Sequence, residues 1–259
     1  MALPERTAEA AHDPHPFPKA PLVQGSLLAA GLAHSWREHW QLLLNSWLAT
    51  ILLCAAAAWW GRGIYYFLDF RDGSGRWSGL FSVLTAGCLA MGGFGLLLVG
   101  RLSRTDAARR AEATAWIFGG LGGMFLALDE LTQLHESLAR WLGRHGVPPP
   151  FGLGDQDGYV FAAYAACACY AGLTVRATLA NWPRTWLPGL VAVACFAAST
   201  AVDFVPWNAL TRPQQEFWGS IEEIFKTLGC VNFAVFAALL VDCAAKDRDF
   251  ANARRLVRS

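Results

Sequence analysis

The sequence predicts an all-α, polytopic membrane protein with six transmembrane helices, and three observations lead to that fold class. Hydrophobic residues make up 54% of the chain and charged residues only 16%, so the chain is more apolar than an ordinary globular domain. Six apolar runs recur, each long enough to cross a hydrocarbon core of roughly 30 Å as a helix. Basic residues are concentrated in alternate connections between these runs. Together these features favour a bundle of membrane-spanning helices.

The chain divides into a membrane domain and two tails. Residues 1–24 are polar and proline-rich with no apolar centre, which predicts a disordered cytoplasmic tail and not a cleaved signal peptide. Residues 25–245 form the predicted six-helix membrane domain, and residues 246–259 form a basic cytoplasmic tail. The predicted spans are residues 41–60, 79–100, 115–136, 158–175, 186–204 and 219–241. The loop at 137–158 carries three consecutive prolines, and it is expected to be a connector or, alternatively, a lid over the outer face.

The distribution of basic residues predicts the orientation. With a cytoplasmic N-terminus, 14 of the 21 Lys and Arg residues lie in inside segments, 6 lie in outside loops, and Lys226 falls within the sixth span. Cytoplasmic segments retain Lys and Arg, so both termini are expected to be cytoplasmic. Many of the 12 tryptophans also lie near predicted span ends, where amphipathic rings collect. We therefore expect a multi-pass membrane protein.

Composition also restricts the classes of binding partner that the chain is expected to have. A net charge of +1 without a large Lys/Arg block predicts no nucleic-acid partner, whereas the lipid bilayer is an obligatory one. The seven cysteines lie in or next to apolar spans, which favours buried reduced thiols over disulfides. Gly119 and Gly123 form a GxxxG step that lets two helices approach closely. That step predicts tight packing within the chain or, alternatively, a contact in a homo-oligomer or with a partner membrane subunit.

Ionisable residues gather at one depth of the predicted bundle. With about 1.5 Å of rise per residue, three spans bring them to a slab in the predicted outer leaflet. The members are Asp129, Glu130, His135, Glu136, Asp203, Glu222, Glu223 and Lys226. Ionised groups in a bilayer cost at least about 2.5 kcal/mol, so such residues face the protein interior with a partner or a function. The slab therefore predicts a polar site between spans three, five and six that opens outward.

Angular positions on span three restrict which of these residues meet. On a straight helix Asp129 and Glu136 lie only about 20° apart and form one inward stripe, whereas His135 lies about 120° from Asp129. His135 can join the stripe only if the end of the helix tilts or unwinds. Local pairing is the alternative for some members, since Glu136 precedes Arg140 and Glu222 precedes Lys226 by four residues.

Carboxylates with one imidazole are the ligands of a hard divalent metal such as iron, manganese, calcium or magnesium. The predicted metal ligands are Asp129, His135, Glu136, Asp203 and Glu223. Glu130 is the candidate catalytic residue, because a spare acid can transfer protons. Structural hydrogen bonds or ion pairs are the alternative explanation for each of these groups.

The pattern DExxxxHE at residues 129–136 resembles a motif of uncharacterised bacterial multi-pass membrane proteins. The resemblance covers span three and, less clearly, the EEIFK stretch at residues 222–226 of span six. It implies a bacterial multi-pass protein, expected in the inner (plasma) membrane, but no activity.

Three functions remain open at this point. The first is a metal-dependent enzyme that acts on a lipid-like, amphiphilic substrate reached from the outer leaflet. The second is a noncatalytic membrane subunit or scaffold whose acids hold the helices together. The third is a cation or proton-coupled transporter that uses the same acids as a relay, although the sequence contains no inverted repeat of the kind such proteins often show.

Overall fold

The computed structural model describes residues 25–57, 79–104, 110–150, 156–205 and 209–258. Within these residues the chain forms seven α-helices and no strand. They are α1 (Gly25–Ala57), α2 (Leu80–Ser103), α3 (Arg110–Thr132), α4 (Leu134–Arg144), α5 (Asp157–Asn181), α6 (Trp186–Asp203) and α7 (Arg212–Arg258), with a 3-10 helix at Pro183–Thr185. The all-α prediction is confirmed for the described part of the chain.

Several of these helices are long and apolar enough to cross a membrane. The candidate spans in the described residues are Leu80–Ser103, Arg110–Thr132, Asp157–Asn181, Pro183–Val202 and Arg212–Arg248, and α1 contains a shorter apolar stretch at Trp40–Leu53. They correspond to the second to sixth predicted spans. The end of the first predicted span, at 58–60, and the tail at 1–24 lie outside the described residues.

Helix α2 lies at the centre of the bundle. It packs against α3 on one side and α7 on the other, α5 covers α3, and α6 covers α7. The core between them includes Leu96, Val99 and Trp116, which are almost fully buried. Outward residues such as Met91 and Val193 are more than half exposed, as a surface that meets lipid requires.

Glycines allow α2 and α3 to approach closely. A Cβ atom added to Gly93 would lie 2.8 Å from the carbonyl oxygen of Gly120, and one added to Gly123 would lie 2.9 Å from Cα of Gly93. Both distances are too short for real atoms, so the helices can approach this closely only because these residues are glycines without side chains. Gly119 has a looser environment, with Leu96 Cδ1 at 3.4 Å. The close contact is therefore between helices of one chain, and it uses Gly120 and Gly123 rather than Gly119 and Gly123.

Two helix boundaries differ from the prediction. Helix α3 ends at Thr132, and α4 begins at Leu134 after Gln133, whose φ of 53° and ψ of 44° are left-handed. The predicted span at 115–136 is therefore not one continuous helix, and its end changes direction at Gln133, the alternative that the sequence left open for His135. Helix α7 continues without a break from Arg212 to Arg258, past the boundary predicted at 245. The role of residues 246–259 as a cytoplasmic tail stays a prediction.

Candidate functional site

The helix break at Gln133 brings Asp129 and His135 together. The backbone amide of His135 donates to Oδ1 of Asp129 at 2.8 Å, and Nδ1 of His135 lies 3.0 Å from Oδ2. The first amides of α4 have no acceptor within their own helix, and a carboxylate at a helix N-terminus satisfies them and favours the dipole. A carboxylate only accepts hydrogen bonds, so Nδ1 of His135 is the nitrogen that carries a hydrogen. One side chain thus binds both the backbone and the ring of His135.

Tyr164 completes this first polar cluster from α5. Its hydroxyl donates to Oδ2 of Asp129 at 3.0 Å, and its ring packs edge-to-face with Phe125 and Phe161. Asp129 is only 4% exposed, and three hydrogen bonds from protein donors satisfy it. Tyr164 was not predicted from the sequence, because a tyrosine in an apolar span carries no charge that would mark it. The feature that could have identified it is its depth, since Tyr164 lies about 10 Å below the outer end of predicted span four, level with Asp129.

His135 lies at the rim of this cluster. Its side chain is 20% exposed and its ring contacts Phe161, with the ring centroids 5.7 Å apart. Burial opposes the charged form, but the hydrogen bond and charge of Asp129, with the charges of Asp157 and Glu136, raise the pKa of His135 above its ordinary value. Among the described residues no hydrogen bond engages Nε2. His135 therefore has one ring nitrogen fixed by the protein and one available to a ligand.

A second polar cluster lies between α3, α7 and α2. Nζ of Lys226 lies 2.5 Å from Oε1 of Glu223 and 3.4 Å from Oε1 of Glu130. The hydroxyl of Thr85, which is fully buried, lies 3.2 Å from the same oxygen of Glu130. Lys226 makes these close contacts with Glu223 and, across helices, with Glu130. The charge of Glu222, the partner predicted from the sequence, also acts on Lys226. Thr85 was missed because it is a single hydroxyl in an apolar span.

The second cluster contains more acceptors than donors. Two carboxylates, Glu130 and Glu223, share the one ammonium of Lys226. Oε2 of Glu223 and Oγ1 of Thr227 are buried and have no hydrogen-bond partner among the described residues. These two residues are one helical turn apart, so they lie on the same face of α7. An unsatisfied buried oxygen is costly, and a proton, a water molecule or another polar group would relieve that cost.

The remaining predicted site residues lie elsewhere or are undescribed. Glu136 forms an ion pair with Arg140 at 3.0 Å on the partly exposed surface of α4, as its local sequence allowed. The predicted stripe of Asp129 and Glu136 is not formed, because the break at Gln133 places His135 against Asp129 instead. Asp203 ends α6, and its side chain lies outside the described part of the structure.

The predicted ligands do not assemble into one metal site within the described residues. There, no group of three or more His, Cys, Asp or Glu residues is placed to hold a metal ion. Asp129 is engaged by protein donors, and the ammonium of Lys226 lies against Glu223. A metal centre that includes Asp203 stays a prediction.

Comparison with known proteins places the chain in a family. Residues 66–243, more than half of the chain, match the model of a family described as "Domain of unknown function (DUF8692)". This match spans all the residues of both polar clusters. No curated protein and no solved structure matches the chain.

Proposed function

The chain belongs to the DUF8692 family, and we propose that it binds and exchanges protons within the membrane as part of proton-coupled transport. The observation that supports this function is the cluster in which Glu130 and Glu223 share Lys226. With both acids ionised, the cluster carries an excess negative charge inside a helix bundle. One bound proton leaves one anion and one cation, which pair.

Glu223 is the proposed proton carrier. One of its oxygens contacts Lys226, while the other is buried without a hydrogen-bond partner among the described residues. An ionised group in a bilayer costs at least about 2.5 kcal/mol, so binding and release of a proton there changes the energy of the bundle substantially. Glu130, the candidate acid of the sequence analysis, holds the opposite side of Lys226 and takes over the ammonium when Glu223 is neutral.

His135 is the proposed point of exchange with the outside. It is more exposed than the deep acids, and histidine gains and loses protons near neutral pH. Asp129, which holds His135, directly precedes Glu130 on α3. The two clusters therefore share one helix, and proton binding at one affects the other through α3.

A direct test is infrared spectroscopy of the full chain in lipid. A buried neutral carboxylic acid gives a C=O stretching band that is distinct from that of a carboxylate. We expect a band that titrates in the wild type and disappears in Glu223→Gln. Glu136→Gln is the matched control, because it makes the same chemical change at a partly exposed ion pair on α4. A band that persists unchanged in Glu223→Gln would refute the proposed carrier.

Transport itself is measured with the protein in liposomes that contain a pH-sensitive dye. A proton flux above that of empty liposomes, lost in Glu223→Gln and retained in Glu216→Gln, supports coupling. Glu216→Gln is the control here because Glu216 forms an exposed ion pair with Arg212 on α7, outside both clusters. If Glu223 binds a proton but no flux is found under a pH gradient or a membrane potential, the transport role fails while the proton site stands.

A metal-dependent enzyme is the second proposal, and the orientation of His135 favours it. Histidine ligands of metals have their other ring nitrogen held by a carboxylate, as Asp129 holds Nδ1 of His135. The substrate would be a lipid-like amphiphile that enters from the outer leaflet. Metal analysis by inductively coupled plasma mass spectrometry tests this proposal. Near-stoichiometric metal that is lost in His135→Ala supports it, and metal-free protein after supplementation refutes it.

A noncatalytic scaffold is the outcome if both tests fail. In that case Lys226 and Asp129 would serve only to tie helices together.

A further inference from the structure

An open groove of about 640 Å³ lies between α2 and α3, away from both polar clusters. It is lined by Phe94, Leu97, Leu98, Arg101, Arg104 and Ile117. Its floor is fixed by a close helix contact, since a Cβ atom added to Gly100 would lie 2.9 Å from the carbonyl oxygen of Ala113. The groove is at the end of α2 that the arginine distribution predicts to be cytoplasmic.

The wall of the groove changes from apolar to basic along α2. Phe94 is 59% exposed and begins the apolar part, and both Arg101 and Arg104 are exposed at the other end. Ten residues separate Phe94 from Arg104, which is about 15 Å of helix and about the depth of one leaflet. The groove therefore matches the length and polarity of a lipid that lies with its headgroup at the arginines.

The charge at this end favours an anionic headgroup. Among the described residues neither Arg101 nor Arg104 forms an ion pair with an acid. The nearest acid of α3, Glu112, accepts a hydrogen bond from Thr178 on α5 instead. In the sequence, residues 101–110 contain four arginines and one aspartate. A guanidinium binds phosphate oxygens in a planar, paired geometry, which suits a phospholipid headgroup.

We propose that this groove is a binding site for an anionic phospholipid, with its phosphate and headgroup at Arg101 and Arg104 and an acyl chain along Phe94 and Leu98. The site is independent of the proton clusters, and it gives the protein a preference for membranes with acidic lipids. A zwitterionic lipid binds more weakly because its headgroup carries no net charge for the two arginines.

The test is native mass spectrometry of the detergent-purified full chain, titrated with phosphatidylglycerol or with phosphatidylcholine of the same acyl chains. We expect tighter retention of phosphatidylglycerol. Basic residues near an anionic surface contribute about fivefold each in affinity, so Arg101→Gln with Arg104→Gln should weaken it about 25-fold. A double variant with Arg176→Gln and Lys246→Gln is the control, because it removes the same charge from exposed positions outside the groove.

Two further comparisons separate a lipid site from a simple anion site. Phe94→Ala with Leu98→Ala should weaken phosphatidylglycerol binding, whereas inorganic phosphate should not compete at equal concentration. The proposal is overturned if both lipids bind equally or if the control variant weakens binding as much as the arginine variant. It is also overturned if inorganic phosphate competes with the lipid and Phe94→Ala with Leu98→Ala leaves binding unchanged. Arg101→Lys with Arg104→Lys keeps the charge but loses the paired geometry of the guanidinium, so it should bind phosphatidylglycerol more weakly than the wild type and more tightly than the glutamine variant. Partial recovery of this kind shows that the loss in the glutamine variant is not due to misfolding.

Discussion

The two polar clusters begin at neighbouring residues of α3 but balance their charges differently. Asp129 is one carboxylate that accepts three hydrogen bonds, from the amide and ring of His135 and from Tyr164. In the other cluster two carboxylates share Lys226, and an oxygen of Glu223 is left without a partner among the described residues. In the first cluster both oxygens of Asp129 accept from protein donors, whereas in the second the carboxylates outnumber the cation.

On this difference we base the proposal that the first cluster is a joint between helices and the second a proton-exchange site. A carboxylate whose two oxygens both accept hydrogen bonds gains less from a further ligand, so we infer that Asp129 mainly fixes the angle between α3 and α4. A buried carboxylate oxygen without a hydrogen-bond donor is stabilised more strongly by a bound proton. We therefore predict that loss of the cation destabilises the protein most at the second cluster, and loss of an acceptor most at the first.

Removal of Lys226 should have the largest effect. Lys226→Met leaves two largely buried carboxylates without a cation, and loss of one partner of a fully buried ion pair costs about 3–5 kcal/mol, which is the upper end of the expected effect. We expect a large drop in the yield and melting temperature of the folded protein, measured by size-exclusion chromatography and thermal unfolding in detergent. Adding Glu130→Gln and Glu223→Gln to Lys226→Met should restore most of the stability. No recovery in the triple variant would mean that charge balance is not what Lys226 provides.

Loss of the acceptor in the first cluster should have a smaller effect. Asp129→Asn keeps the size of the side chain, but its amide nitrogen cannot accept from His135 or Tyr164. A buried donor without a partner costs about 1–3 kcal/mol, and thermal unfolding should show a loss in that range. Glu136→Gln changes an exposed ion pair worth at most about 1 kcal/mol and serves as the control. Equal losses in both variants would contradict the role given to the joint.

The pH dependence of the joint should be the smallest effect. Because the folded-state pKa of His135 is raised above 6.5, its contribution to stability is fully present below the pKa of the unfolded chain. The contribution is lost as pH rises through the folded-state pKa. The difference in melting temperature between wild type and Asp129→Asn should thus be larger at about pH 6 than at about pH 8.5. A difference that grows with pH would mean that the charges of Asp129, Glu136 and Asp157 do not act on His135 as described.

The sequence predicted the helices well because their signal is local. Apolar runs of sufficient length are visible residue by residue, and five of the six expected spans have counterparts in the described residues. The residues of the slab were also recognised, since ionisable groups in an apolar run are conspicuous. Asp129, Glu130, His135 and Glu223 all lie in one of the two clusters.

The partners within the slab could not be predicted because they depend on non-local geometry. Gln133 has no special preference for a left-handed conformation, so the local sequence does not predict the helix break that brings His135 to Asp129. The pairing of Lys226 with Glu130 depends on how α7 is rotated against α3, which helical periodicity alone does not fix. Tyr164 and Thr85 are uncharged, and hydrogen-bond donors in spans are too common to single out.

Helix α7 continues without a break from the second cluster to the basic residues at its own C-terminal end. With 47 residues this helix is about 70 Å long, more than twice the thickness of a hydrocarbon core. Arg258 lies 32 residues beyond Lys226, or about 48 Å along the axis. If α7 pivots at Lys226 by about 5° when the charge of its neighbours changes, its end sweeps through about 4 Å. Such a pivot would make α7 a lever whose fulcrum lies at the acids and whose long arm carries the basic end of the helix.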